Sequence, residues 1–251
     1  MIEVGSICKE FDGKVVLEDI SSTFNEGKTN LIIGQSGAGK TVLLKCIVGL
    51  IQPDNGSILY DGREISRLNK KERLTLRREM GMLFQNAALF DSMSVLENVM
   101  FPLDMFSGMT YNERLRRARF CLERVNLLEA QGKSPDELSG GMQKRAAIAR
   151  AIAMEPKYLF CDEPNSGLDP QTSLIIDELI HGITEEYNIT TIVNTHDMNS
   201  VIGIGDHILY LAGGRLAWEG DKTQVLDSGN MQLDNFLFSS EILRKVRNRE
   251  Q

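Results

Sequence analysis

The run Thr29-Asn30-Leu31-Ile32-Ile33-Gly34-Gln35-Ser36-Gly37-Ala38-Gly39-Lys40-Thr41 passes from a short apolar segment into a glycine-rich loop, and Val42-Leu43-Leu44-Lys45-Cys46-Ile47-Val48 follows with helical periodicity. Strand, loop, helix is the setting in which the pattern G-x-x-x-x-G-K-[ST], met here by Gly34 to Thr41, builds a phosphate cradle. Gly34, Gly37 and Gly39, with Ser36 among them, let backbone N–H groups close round an anionic chain at a helix N-terminus, where the dipole also favours negative charge. Lys40 then neutralises β- and γ-phosphates, and the Thr41 hydroxyl is a ligand for Mg2+.

Outward from this loop the chain alternates strand-like and helix-like segments, the pattern of an α/β fold. Ile2 to Cys8 and Val15 to Phe24 read as strands joined by the turn signal Asp12-Gly13, an antiparallel hairpin. Met80 to Phe84 reads as a strand ending at Gln85. From Ser94 to Gly132 the pattern turns helical and charge-rich, notably in Asn112-Glu113-Arg114-Leu115-Arg116-Arg117-Ala118-Arg119, and in the longer span from Thr41 to Ser139 Pro53 and Pro102 are read as helix breakers. A helix from Gly140 to Met154 stops before Pro156, and a strand at Tyr158 to Cys161, a helix at Pro170 to Tyr187 and a strand at Thr190 to Asn194 follow. At the end of the chain Phe238, Ile242 and Val246 recur every four positions beside Arg244, Lys245, Arg247 and Arg249, an amphipathic helical pattern.

The segment Tyr158-Leu159-Phe160-Cys161-Asp162-Glu163 delivers two carboxylates to the carboxyl end of an apolar strand, the edge at which open α/β sheets bind ligands. Two acids after a strand are commonly a solvated strand end. Beside Lys40 and Thr41 they complete a nucleotide-hydrolysis set, with Asp162 holding Mg2+ and Glu163 polarising the attacking water.

The 251 residues, 42% of them hydrophobic, suffice for a core. A formal net charge of -7 argues against a nucleic-acid partner. Cys8, Cys46, Cys121 and Cys161 form no CxxC pair, so packed thiols are expected rather than a disulfide frame or a zinc site. No apolar run of membrane-spanning length and no signal-peptide pattern occurs, so a chain that neither spans a membrane nor is secreted is expected.

Leu138-Ser139-Gly140-Gly141-Met142-Gln143, upstream of the carboxylate strand, resembles the signature of the ABC ATPase family. Alone it would serve as a helix N-cap. In series with the glycine-rich loop, Gln85, Asp162-Glu163, Ser166-Gly167-Leu168-Asp169 and His196, it extends the resemblance across nearly the whole chain. The resemblance implies a P-loop NTPase (RecA-like) core with an N-terminal antiparallel β subdomain and an inserted helical subdomain. Residues 1–85 and 138–220 would form the core with its β subdomain, 86–137 the helical insertion and 221–251 a C-terminal helical extension.

It also implies ATP as cofactor, with Phe11 stacking on adenine, Gln85 approaching Mg2+ and the attacking water, His196 contacting the γ-phosphate, and Ser139, Gly140 and Gly141 covering ATP held by a second copy in a head-to-tail homodimer. Asp169 falls in the dimer-contact turn, in which Asn165 replaces the usual threonine. Integral-membrane permease subunits are the implied partners, at the cytoplasmic face of the inner membrane, with room for a small regulatory subunit. A DNA-maintenance ATPase with the same motifs would carry a long coiled coil between them, and a P-loop kinase would lack the signature. The stretch from Asn86 to Leu103 and the run Ser139-Gly140-Gly141-Met142-Gln143-Lys144-Arg145-Ala146 are similar to phospholipid-transport ATPases of the Mla and Mce type, with an amino-acid or other small-solute importer as the alternative.

Overall fold

The structure, a computed structural model, describes residues 1–237; the amphipathic pattern of Phe238, Ile242 and Val246 with Arg244, Lys245, Arg247 and Arg249 lies outside the described residues. The chain gathers into two units, one of residues 1–25, 29–66 and 194 onward, the other of 26–28 and 67–193.

In the first unit, β1 (Ile2–Phe11) and β2 (Lys14–Phe24) pair antiparallel from Ile2 opposite Phe24 to Phe11 opposite Lys14. β4 (Asn55–Tyr60) and β5 (Arg63–Glu64) extend them to a four-stranded sheet ordered β2-β1-β4-β5. β3 (Thr29–Ile33) is buried at every position and runs parallel to β9 (His207–Ala212), Leu31 facing Ile208, while β10 (Arg215–Gly220) pairs antiparallel with β9. A strand buried on both faces carries no alternation, which is why Leu31-Ile32-Ile33 reads as a continuous apolar run. Helix α1 (Lys40–Val48) leaves the loop after β3, and the Tyr60 hydroxyl donates to the Ile47 carbonyl at 2.7 Å, tying β4 to it. α7 (Met198–Ile204) and α8 (Met231–Leu237) complete the unit.

In the second unit, β6 (Met80–Leu83) and β7 (Tyr158–Asp162) run parallel, in register from Met80 opposite Tyr158 to Leu83 opposite Cys161, and β8 (Thr190–Thr195) lies on the far side of β7. The helices are α2 (Lys70–Arg78), α3 (Val95–Phe106), α4 (Tyr111–Arg124), α5 (Gly140–Ala151) and α6 (Pro170–Glu186). Asn69 begins α2 with a capping box to Glu72.

Several boundaries differ from the sequence expectation. β1 continues past Cys8 to Phe11, and β7 takes Asp162 into the strand. α5 stops short of Met154 because the chain turns there, with Glu155 in the left-handed region at φ 53°. Pro102 does not break a helix; it lies inside α3. A proline removes a single N–H donor, and the last turn is secured instead by Ser107, whose N–H and hydroxyl both donate to the Leu103 carbonyl, at 3.0 and 2.6 Å. Cys46, Cys121 and Cys161 are buried thiols, and burial pushes Cys46 and Cys121 up to about 11.

Of the apolar residues around the start of α3, Val95 and Val99 are buried, while Leu89, Met93, Leu96 and Phe101 are half-buried. Phe90 stays 41% exposed, its ring 4.7 Å from that of Phe101. The segment is organised by Asn98, which is fully buried. Its side-chain carbonyl accepts from the Phe90 N–H at 2.7 Å, and the two hydrogens of its NH2 group are shared among the carbonyls of Phe90, Met93 and Ser94 at 3.1, 3.2 and 3.0 Å. An unsatisfied buried group costs about 1–3 kcal/mol. Asn98→Ala, which orphans the Phe90 N–H, is therefore expected to lower unfolding stability by about 3 kcal/mol, measured by urea denaturation, with the same slope as the parent.

Candidate active site

The phosphate-loop half of the site belongs to the first unit. Gly34 follows the buried strand β3, Gln35, Ser36 and Gly37 are exposed, and Ala38, Gly39 and Lys40 return to the interior. Gly39, the N-cap of α1, has φ 101°, and a Cβ there would lie 2.7 Å from Leu17 Cδ2 and 3.0 Å from the Val16 carbonyl, so only glycine fits between loop and hairpin. The Lys40 ammonium turns into the loop and donates to the carbonyls of Gly34 and Gln35 at 2.9 and 3.3 Å. Thr41 follows it, half-buried, in the first turn of α1. His196 is exposed, between the end of β8 and Asp197, which caps α7. Phe11 is 42% exposed at the end of β1, with the Lys9 ammonium 5.1 Å from its ring centroid.

The carboxylate half belongs to the second unit. Asp162, the last residue of β7, is buried, and Glu163 beside it is half-buried with φ 48°. Gln85 follows β6, exposed, and its side-chain N–H donates to the Ser166 hydroxyl at 3.3 Å, while its side-chain oxygen Oε1 can accept from another donor or ligate a cation. The Glu163 carbonyl accepts from the Ser166 N–H at 3.2 Å. Gln85, Glu163 and Ser166 are thus one cluster. Lys144 joins it from α5, donating to the Gln85 carbonyl and, at 3.3 Å, to that of Glu163. Burial drives the Lys144 ammonium below the usual lysine range, an effect opposed by the nearby Cys161, Glu163 and Asp162. The sequence reading gave Lys144 no role. Its signal was a charge within the stripe Gly141, Lys144, Ile148 and Ala151, positions three and four apart that are all buried.

The signature residues open α5. Ser139 and Gly140 are exposed while Gly141 is buried. The Ser139 hydroxyl oxygen accepts from the Met142 N–H at 3.3 Å, so its O–H remains able to donate to an anion at the helix N-terminus. Gly141 makes room for α6: a Cβ there would lie 2.5 Å from Thr172 Cγ2. Thr172 is itself fixed, because its N–H and hydroxyl donate to the carboxylate of Asp169, the N-cap of α6, and those bonds hold Asp169 below the usual carboxylate range. Asn165 donates to Asp177 at 2.8 Å, anchoring the turn that leads to Asp169 on the same helix.

For a magnesium ion, which takes oxygen ligands, Thr41 in the first unit offers a hydroxyl, and in the second unit Asp162 offers a carboxylate and Gln85 a side-chain amide oxygen. No group of three or more His, Cys, Asp and Glu side chains able to enclose a metal occurs among the described residues. Oxygen donors of these kinds, one to three in number, suit an ion that takes its other ligands from phosphate oxygens and water.

The site's motifs agree with comparisons to known proteins. Residues 17–166, more than half the chain, match the family model of the ABC transporter. The intermembrane phospholipid transport system ATP-binding protein MlaF of Haemophilus influenzae is 39% identical over 237 residues, 94% of this chain and 90% of that protein. The methionine import ATP-binding protein MetN of Carboxydothermus hydrogenoformans is 43% identical over 209 residues, 83% of this chain but 62% of that protein. The dimeric structure of a post-hydrolysis state of the cassette MJ0796, bound to ADP and Pi, superposes with a TM-score of 0.80 at 33% identity, covering 88% of this chain and 99% of that one.

The tight approach at Gly141 gives a direct test. Gly141→Ala is expected to destabilise the protein by about 1–3 kcal/mol through overpacking against Thr172. Thr172→Ser, which deletes the clashing methyl and keeps the hydroxyl on Asp169, should restore most of the lost melting temperature in the double variant. The chain belongs to the ABC transporter family, as an ATP-binding and ATP-hydrolysing cassette with the α/β fold of P-loop NTPases.

Proposed function

We propose that this ATPase energises phospholipid transport of the Mla/Mce type, as one of two identical subunits bound to integral-membrane permeases at the cytoplasmic face of the membrane. The observation that carries the reading is the extent of likeness to MlaF, which runs through 94% of this chain and 90% of that protein. The second reading, import of methionine, is favoured by the higher local identity to MetN, although that match leaves more than a third of MetN without a counterpart.

The chemistry proposed for the site follows from its side chains. Lys40 neutralises the β- and γ-phosphates, with the N–H groups of the loop from Gly34 to Gly39 as further donors and Phe11 as the adenine platform. Thr41, Asp162 and Gln85 hold Mg2+, which offsets phosphate charge when bound. Glu163 accepts charge from the attacking water, and His196 contacts the γ-phosphate. Ser139, Gly140 and Gly141 complete the site of a second copy; the exposed Ser139 hydroxyl at a helix N-terminus supports this, since the chain's own phosphate loop already fills that role within the protomer.

For the permease contact we propose the region round Phe90, exposed beside half-buried Phe101. No helix among the described residues is long and apolar enough to cross a membrane. Hot spots of interfaces are commonly aromatic.

Glu163→Gln is expected to lower steady-state ATP turnover by at least about 100-fold while nucleotide still binds and an ATP-loaded dimer accumulates on gel filtration. Turnover within a few-fold of the parent would remove Glu163 from the role of base. For the cargo, the subunit co-expressed with its membrane partners and reconstituted in vesicles should drive ATP-dependent transfer of a fluorescent phospholipid and no uptake of labelled methionine. The opposite pattern selects the second reading. Phe90→Asp should lose the membrane partners on co-purification and keep the ATPase rate of the isolated subunit.

A further inference from the structure

The parallel ladder of β6 and β7 ends at Leu83 opposite Cys161, and two residues beyond that pair the strands' continuations carry Gln85 and Glu163. The register of the two strands ends at that pair, and both continuations adopt backbone that L residues seldom hold. Glu163 has φ 48°, and Ala87 and Ala88, just past Gln85, have φ 59° and 50°. A left-handed non-glycine residue costs of order 1–3 kcal/mol and persists only where its surroundings hold it.

Helix α5 supplies what holds it. Lys144, buried to 4% exposure, spends two of its three N–H donors on the main-chain carbonyls of Gln85 and Glu163. Further along the same helix, Arg150 donates to the carbonyls of Ala87 and Ala88 at 2.8 and 2.7 Å and lies 5.9 Å from the centre of the Phe90 ring. A buried ammonium is an expensive way to fill space: a leucine or methionine would pack there without desolvation. What the ammonium adds is direction, since one tetrahedral head can tie two carbonyls from different loops to one helix. That helix begins at Ser139.

We propose that Lys144 is a positioning residue for ATP hydrolysis, which sets the spacing of Gln85 and Glu163 through their main-chain carbonyls and ties both to the signature helix. The inference rests on the roles proposed above for those two side chains. A shift of α5, such as engagement of its N-terminus by a phosphate would impose, reaches both residues through a single side chain, and Arg150 carries the same displacement to Ala87 and Ala88. A misplacement of about 1 Å among reacting groups is enough to cost about 100-fold in rate.

The test compares Lys144→Met, which keeps bulk and removes the donors, with Lys144→Arg, which keeps donors, and with Lys144→Gln, which keeps one neutral donor group. Each is measured for turnover, for equilibrium binding of a fluorescent ATP analogue and for thermal midpoint. Lys144→Met is expected to lose about 100-fold in kcat with nucleotide affinity within about threefold of the parent, and Lys144→Arg to recover at least about tenfold of that loss. Lys144→Gln should fall between them. A kcat for Lys144→Met within about threefold of the parent overturns the proposal, as do parallel falls in binding and turnover, a rescue absent from Lys144→Arg, or failure of all three variants to fold, which would make Lys144 a core residue only. Glu163→Gln is run alongside: if it retains turnover, the assignment of Glu163 is what has failed, whereas an inactive Glu163→Gln with an active Lys144→Met refutes the role of Lys144 alone.

Discussion

The pairing register of β6 with β7 is the constraint on which the carboxylate half of the site depends. Because Leu83 faces Cys161, the residues that follow the two strands leave the sheet at the same level, and Gln85 and Glu163 come within reach of one ammonium. A slip by one residue would turn every side chain of one strand to its other face and carry Asp162 away from the edge. The chain then spends favourable interactions on local strain. Left-handed Glu163, Ala87 and Ala88 are conformations no sequence preference supports, and the carbonyl contacts of Lys144 and Arg150 offset them. Backbone strain of this kind persists only where the surroundings hold it, and here the holding groups all come from one helix, α5.

The phosphate-loop half solves a different problem with the same materials. Lys40 is nearly buried, and two backbone carbonyls of the loop hold its ammonium inside the curve of the loop. An anion entering that curve meets a cation already desolvated and oriented, so the attraction is not spent on collapsing a flexible side chain. The signature helix shows the complementary economy. Ser139 uses its oxygen as acceptor within its own chain and keeps its hydrogen for an outside acceptor, so one hydroxyl both starts the helix and presents a donor on the surface.

Much of this was legible in the sequence wherever function demands a fixed spacing within one local stretch. The glycine-rich loop, Asp162-Glu163 and the signature are contiguous motifs, and the buried run Leu31-Ile32-Ile33 announces its strand because no polar face exists to alternate with it. Elements whose reasons are distant were not legible. Lys144 looks like any charged residue of a helix until the carbonyl of Gln85, 59 positions away, is brought beside it. Arg150 reaches the Ala87 carbonyl across 63 positions. Pro102 misleads in the other direction: its breaking tendency is real, but Ser107 secures the end of the helix by a bond that only the folded turn reveals. Asn98 escaped notice because an asparagine in a helical segment is ordinarily a solvated one, whereas its four hydrogen bonds close the loop before α3.

The division of labour within the chain also explains why relatives of comparable identity carry the names of unlike cargo, a phospholipid for one and methionine for the other. Residues that handle phosphate, water and the second copy answer to a substrate that is the same for every such cassette, so they constrain most of the chain without reference to what is moved. A difference in cargo has to be expressed outside those residues. Around Phe90 the proposed permease surface is continuous with the hydrolysis loops, because Arg150 touches the carbonyls of Ala87 and Ala88 and lies over the Phe90 ring. A partner seated on Phe90 and a phosphate seated on Ser139 would therefore act on the same helix from two points, and by linkage each would change the affinity for the other.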